Sequence, residues 1–119
     1  MGFVDELVAA RDLVRAAEHT CVLDPRDITT LPAVWIRFDG LGGPMLSGGS
    51  AGRSRVLITV FCIVQPTDPQ RDLEALEPFL ETVSSIIPPL TDPKHVGVLL
   101  PGHGTAAPAM SYTHDLTID

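Results

Sequence analysis

Apolar residues recur every three or four positions near the start of the chain, at Phe3, Leu7, Ala10 and Val14, with Val4, Val8 and Ala17 widening the stripe. This spacing predicts an amphipathic helix over FVDELVAARDLVRAAEH, residues 3–19. Asp5 and Glu6 fall in its first turn, while Arg11, Arg15 and His19 come later, as the helix dipole prefers. Asp24-Pro25 stops any continuation, because the residue before proline is pushed out of the helical region. A short strand at 20–23 fits between the two.

The period then changes to two. In AVWIRFD, residues 33–39, Val34, Ile36 and Phe38 point one way and Trp35, Arg37 and Asp39 the other. SRVLITVFCIVQ, residues 54–65, is apolar on both faces and rich in β-branched side chains, the pattern of a strand covered on both sides. These two strands form an antiparallel hairpin with a long glycine-rich connection. Helical spacing returns in TDPQRDLEALEPFLETVSSII, residues 67–87, with a stripe of Leu73, Leu76, Leu80, Val83 and Ile87 flanked by Phe79 and Ile86. Two capping signals stand at its start, a Thr67–Gln70 box and an Asp68 cap followed by Pro69. Pro78 removes a backbone hydrogen bond and crowds the preceding turn, so a kink or two abutting helices is expected there.

Pro88-Pro89 ends that helix. HVGVLL, residues 95–100, reads as a strand, PGHGTAAPA as a loose loop, and MSYTHDLTID, residues 110–119, as a strand of near-perfect alternation. In it Met110, Tyr112, His114, Leu116 and Ile118 point inward. The expected architecture is α+β: a mainly antiparallel or mixed sheet of about four strands, order α-β-β-α-β-β. Both helices pack mostly on one face.

Length and charge narrow the functional classes. A chain of 119 residues makes one domain, 1–119, with a core of its own. Its formal net charge is −7, and its close basic pairs are Arg11 with Arg15 and Arg53 with Arg55. That balance argues against gripping DNA, which needs a basic stripe. Cys21 and Cys62 form no CxxC or zinc spacing and read as two free thiols in a reducing compartment. MGFVDELV has neither a signal-peptide pattern nor a myristoylation site, since Glu6 stands where the latter needs Ser or Thr. The apolar run 56–64 is about half the ~20 residues of a membrane span. A protein made in the cytoplasm and not associated with a membrane is expected.

LGGPMLSGGSAGR, residues 41–53, raises the question of a phosphate cradle. A P-loop needs Lys followed by Ser or Thr at a helix start, whereas this segment ends in Arg53-Ser54 and enters a strand. Its apolar Leu41, Pro44, Met45 and Leu46, together with Arg53, instead suit a segment that orders against a partner; these five are the candidate assembly residues. The plain alternative is a hairpin tip without a task. GHG at 102–104 reads as a turn between strands. His19, His95, His103 and His114 show no HxH, HxxxH or HExxH spacing, and no metal site is expected. His114 and Asp115 point to opposite faces of a strand, which makes a poor dyad. Ser47, Ser50 and Ser54 lack a GxSxG elbow. Glu74, Glu77 and Glu81 form a row on the second helix, best explained as a solvated face. No catalytic residues and no cofactor are expected.

The helix VDELVAARDLV, the strand LPAVWIRFDG, the long loop before RVLITVFCIV, the block DPQRDLEALEPFLETV and the closing SYTHDLTID together resemble the tail terminator proteins of long-tailed bacteriophages. The resemblance covers nearly the whole chain and lies in order and phrasing rather than in a single motif. It implies a non-enzymatic virion protein of the tail or neck. Such a protein assembles as a ring, usually of six subunits, that caps the tail tube and joins the head connector while DNA passes through the lumen. An acidic chain suits a channel that does not retain DNA. The alternatives are another phage neck or head-completion protein, or a small metabolic or ligand-binding α+β domain with a pocket near His103.

Overall fold

In the computed structural model, residues 3–42, 54–102 and 104–118 are described. Two helices, α1 (Phe3–Ala16) and α2 (Pro69–Ile86), accompany five strands. These are β1 (Cys21–Val22), β2 (Ala33–Gly42), β3 (Ser54–Ile63), β4 (Lys94–Val98) and β5 (Ala107–Ile118). The sheet order is β1-β2-β3-β5-β4. Every neighbouring pair is antiparallel except β1 with β2, so the sheet is mixed. The α+β reading holds, but the sheet has five strands rather than four. The strand beyond that count, β1, falls within the short strand expected at 20–23; it is two residues long and pairs in parallel with Val34 and Trp35.

The helices cover one face. Leu7, Ala10 and Val14 of α1 and Leu76, Phe79 and Val83 of α2 join Val34, Ile36, Val56, Ile58, Val60, Cys62 and Tyr112 in the main core. A smaller cluster lies on the opposite face, where Phe61, Ile63, Val98, Leu100, Ala107 and Ala109 pack with Ile28, Leu31, Trp35 and Val96. No helix contributes to this second cluster. The dual burial of β3 therefore has two sources, helices on one side and connecting segments on the other. That division matches the apolar run in its sequence.

Several local expectations need correction. The first helix stops at Ala16 rather than His19, because Glu18 takes a left-handed conformation (φ 67°) and closes the last turn with an N–H bond to the Arg15 carbonyl. Of the two capping signals on α2, the Asp68 cap forms, its carboxylate accepting from the Arg71 N–H. Thr67 donates instead to the carboxylate of Asp72, and Gln70 donates to Glu74. Leu73 leaves the core stripe and is 56% exposed, since α2 is centred on Leu76, Phe79 and Val83. The chain does not divide into two helices at Pro78, which lies on the exposed side of one continuous helix.

Candidate assembly surface

In sequence the glycine-rich segment connects β2 and β3, which form a hairpin. Its root is marked by a bulge at Asp39, the extra residue between the pairs Phe38–Ile58 and Gly40–Leu57. Gly40 supplies the positive φ of 140° required there. The bulge reverses the alternation, so Leu41 returns to the helix-covered face opposite Val56. Leu41 thus belongs to β2, half-buried against the main core. The other four candidate residues, Pro44, Met45, Leu46 and Arg53, lie outside the described residues.

On the face away from the helices, the side chains stand in cross-strand rows. Trp35 stacks on Phe61 at 4.6 Å between centroids, and the Arg37 guanidinium sits 5.2 Å over the same Phe61 ring. Arg37 also pairs with Asp39 at 2.8 Å, while the Thr59 hydroxyl donates to Asp39. Nearer the hairpin, Arg55 pairs with Asp115 across β3 and β5. The part of this face toward the hairpin is polar and carries no covering element among the described residues. Arg37 and Arg55 are already paired with carboxylates there, so it presents mixed rather than basic charge.

The remaining candidates for chemistry are scattered. His114 and Asp115 do point apart: the His114 Nδ1 lies 2.7 Å from the Pro88 carbonyl oxygen, and Asp115 faces Arg55. No group of three metal-ligating side chains comes together among the described residues. His103 lies outside them. Cys21 and Cys62 are buried free thiols in the main core, both flanking Val34 in the strand register. Two strand spacings separate them, about 10 Å, beyond disulfide reach. Burial pushes both thiols up to about 12. The acidic row Glu74, Glu77 and Glu81 is exposed, as its sequence spacing implies.

Sequence reasoning missed one concavity. A cavity of about 550 Å³ lies at the end of the sheet opposite the hairpin, lined by Leu31, Pro32, Val64, Ala75, Pro78 and Phe79, with His19 and Arg71 among its other walls. Its residues come from four separate segments, so no local motif announces it. Among the described residues, no helix is long and apolar enough to cross a membrane. No family model, curated protein or solved structure matches this chain.

Proposed function

We propose that this chain is a non-enzymatic structural subunit of a long-tailed bacteriophage. In this reading it forms a ring, six subunits being the expected number, that caps the tail tube and provides the joint to the head connector. Its partners are further copies of itself, the tail tube protein and the head-completion protein. It is made in the host cytoplasm and ends in the tail or neck of the virion, with DNA passing through the ring without specific binding.

The observation that carries the reading is the one-sided architecture. Both helices sit on one face of the sheet, and among the described residues nothing covers the polar part of the other face or pairs with the outer sheet edges. The acidic balance and the resemblance in element order support it further. Within this reading, Leu41, Pro44, Met45, Leu46 and Arg53 are the assembly residues, and of these Leu41 ends β2 against the main core.

Two experiments test it. Light scattering and negative-stain imaging should find rings with an open centre, alone or on added tail tubes; a chain that remains monomeric with purified tubes rejects the reading. Deletion of residues 44–50 should block head–tail joining while the subunit stays folded. Normal joining would remove that segment from the account.

One observation favours a second reading, a small ligand-binding domain. The cavity beside α2 is large enough for a small molecule and mixes an apolar lining with His19 and Arg71. A small molecule co-purifying with the native chain and lost from a Phe79→Ala variant would favour it.

A further inference from the structure

Two edges of the sheet are open, and they differ in sequence and in surroundings. On one side β4 is the last strand. On the other, β1 pairs only with Val34 and Trp35, which leaves residues 37–42 of β2 with no strand on that side among the described residues. Among the described residues, no loop or cap makes a backbone hydrogen bond to either stretch. Arg37, Phe38 and Asp39 are exposed, as are Lys94, His95 and Gly97. Unpaired N–H and C=O groups in such edges are templates for another strand.

Exposed apolar side chains gather at these same edges. Leu73 shares a surface cleft with His95 of β4, and Leu99 follows β4 directly. The main-chain N–H of Leu90 donates to the β5 carbonyl of Thr113, which holds this exposed residue on the β4 side. At the other edge Phe38 of β2 stacks on Phe3, with Val4 beside it in the first turn of α1. These account for six of the seven large apolar side chains exposed among the described residues, Leu13 being the exception. Charge is complementary too. Lys94 and His95 lie at the β4 edge and Asp5 and Glu6 in the first turn of α1, and none of the four joins an ion pair among the described residues.

Strand direction selects the relation between copies. β2, β3, β5 and β4 alternate in direction through three antiparallel pairings, so β4 runs opposite to β2. A second copy rotated about an axis that lies along the sheet but is inclined to the strands, without being turned over, therefore brings its β2 edge antiparallel to β4. It also keeps the helices of both copies in the same layer. We infer that successive copies of this chain join edge to edge, the outer side of β4 in one copy pairing with residues 37–42 of β2 in the next. The contact is head-to-tail and repeats until the rotation closes. A two-fold β4–β4 contact would leave Phe3, Val4 and Phe38 uncovered.

The register adds a geometric requirement. Through β5 and β3, the centre of β4 is level with Ala33, whereas the open stretch of β2 lies about six residues further along, roughly 20 Å. Neighbouring copies are thus staggered along the strands, as tilted strands in a closed sheet are. The inference deepens the ring reading and depends on it for the rotational symmetry.

The test is hydrogen exchange followed by mass spectrometry on the full chain, dilute and assembled, together with sedimentation of Leu99→Glu and Val4→Glu variants. Both sites are exposed, so the variants should fold normally, which circular dichroism verifies. Amides in residues 94–98 and in 37–42 should both slow by about tenfold or more on assembly. Each variant should raise the concentration needed for assembly by about tenfold, the effect expected of losing one apolar contact and burying a charge. Protection confined to 94–98 would indicate the two-fold contact and overturn the inference. Rings whose edges exchange as fast as in the monomer would overturn it while leaving the ring reading standing. Failure to assemble, both alone at the highest attainable concentration and on purified tail tubes, overturns it together with the ring reading.

Discussion

The hydroxyl of Tyr112 donates to the carbonyl oxygen of Ile87 at 2.6 Å, tying the middle of β5 to the residue that caps the C-terminal end of α2. Both residues are buried, and the bond spans 25 positions of sequence. A helix end leaves carbonyls without partners, and burial makes an unpaired one costly. Tyr112 thus fixes where α2 stops against the sheet. Replacing Tyr112 with Phe keeps the ring in the core and orphans the carbonyl. The expected loss is about 1–2 kcal/mol in urea denaturation. An unchanged midpoint would mean that water reaches Ile87.

Three buried groups of the main core hold their protons more tightly than they would in an unfolded chain. Burial pushes Cys21 and Cys62 up to about 12, and it raises Tyr112 above its ordinary value. For each, the folded state binds the proton at pH values where the unfolded chain releases it. The stability these groups contribute is present in full below the unfolded thiol range, near 9, and is lost as pH rises toward 12. Denaturation midpoints should therefore be flat through neutral pH and fall steeply above pH 9. The double variant Cys21→Ala, Cys62→Ala should show a shallower fall, and an unchanged slope would assign the alkaline loss elsewhere.

The same two thiols should resist modification. Both are almost fully buried, and two strand spacings keep them from bridging. A thiol reagent should label neither at neutral pH in the native protein and both once the chain is unfolded. Fast labelling of one cysteine in native protein would reveal local opening near β1 or β3.

Much of this fold was legible because burial follows period. The alternation at Val34, Ile36 and Phe38 located the helix-covered face of β2, and the unbroken apolar run located the central strand. Other parts depended on contacts that no local pattern carries. β5 begins at Ala107, inside a stretch whose Gly, Pro and Ala composition reads as loop, because its alanines fit the close-packed second cluster. Leu73 has the correct spacing for the core of α2 but falls on its flank, since periodicity defines a stripe and only the sheet decides where its centre lies. Thr67 found Asp72 rather than Gln70 once Asp68 had taken the cap. Of the candidate assembly residues, Leu41 was placed in sequence as the edge of a loop, whereas the Asp39 bulge makes it part of a strand. The cavity beside α2 was invisible because its parts meet only after folding.

Pro78 offers the clearest test of a local rule overridden by packing. Within α2 it denies the Glu74 carbonyl its usual N–H donor, a defect worth about 3 kcal/mol in an isolated helix interior. The helix nevertheless continues to Ile86, held by Leu76, Phe79 and Val83 in the main core. Pro78 itself is exposed on the side that lines the cavity with Ala75 and Phe79. Little buried area depends on its ring. The Pro78→Ala variant should restore the missing backbone bond and raise stability by about 1–3 kcal/mol, seen as a higher melting temperature with the same helix signal. An equal or lower melting temperature would show that the ring's contacts at the cavity wall outweigh the lost bond. If so, the proline is kept for the surface it shapes, and the same substitution should then impair whatever binds there.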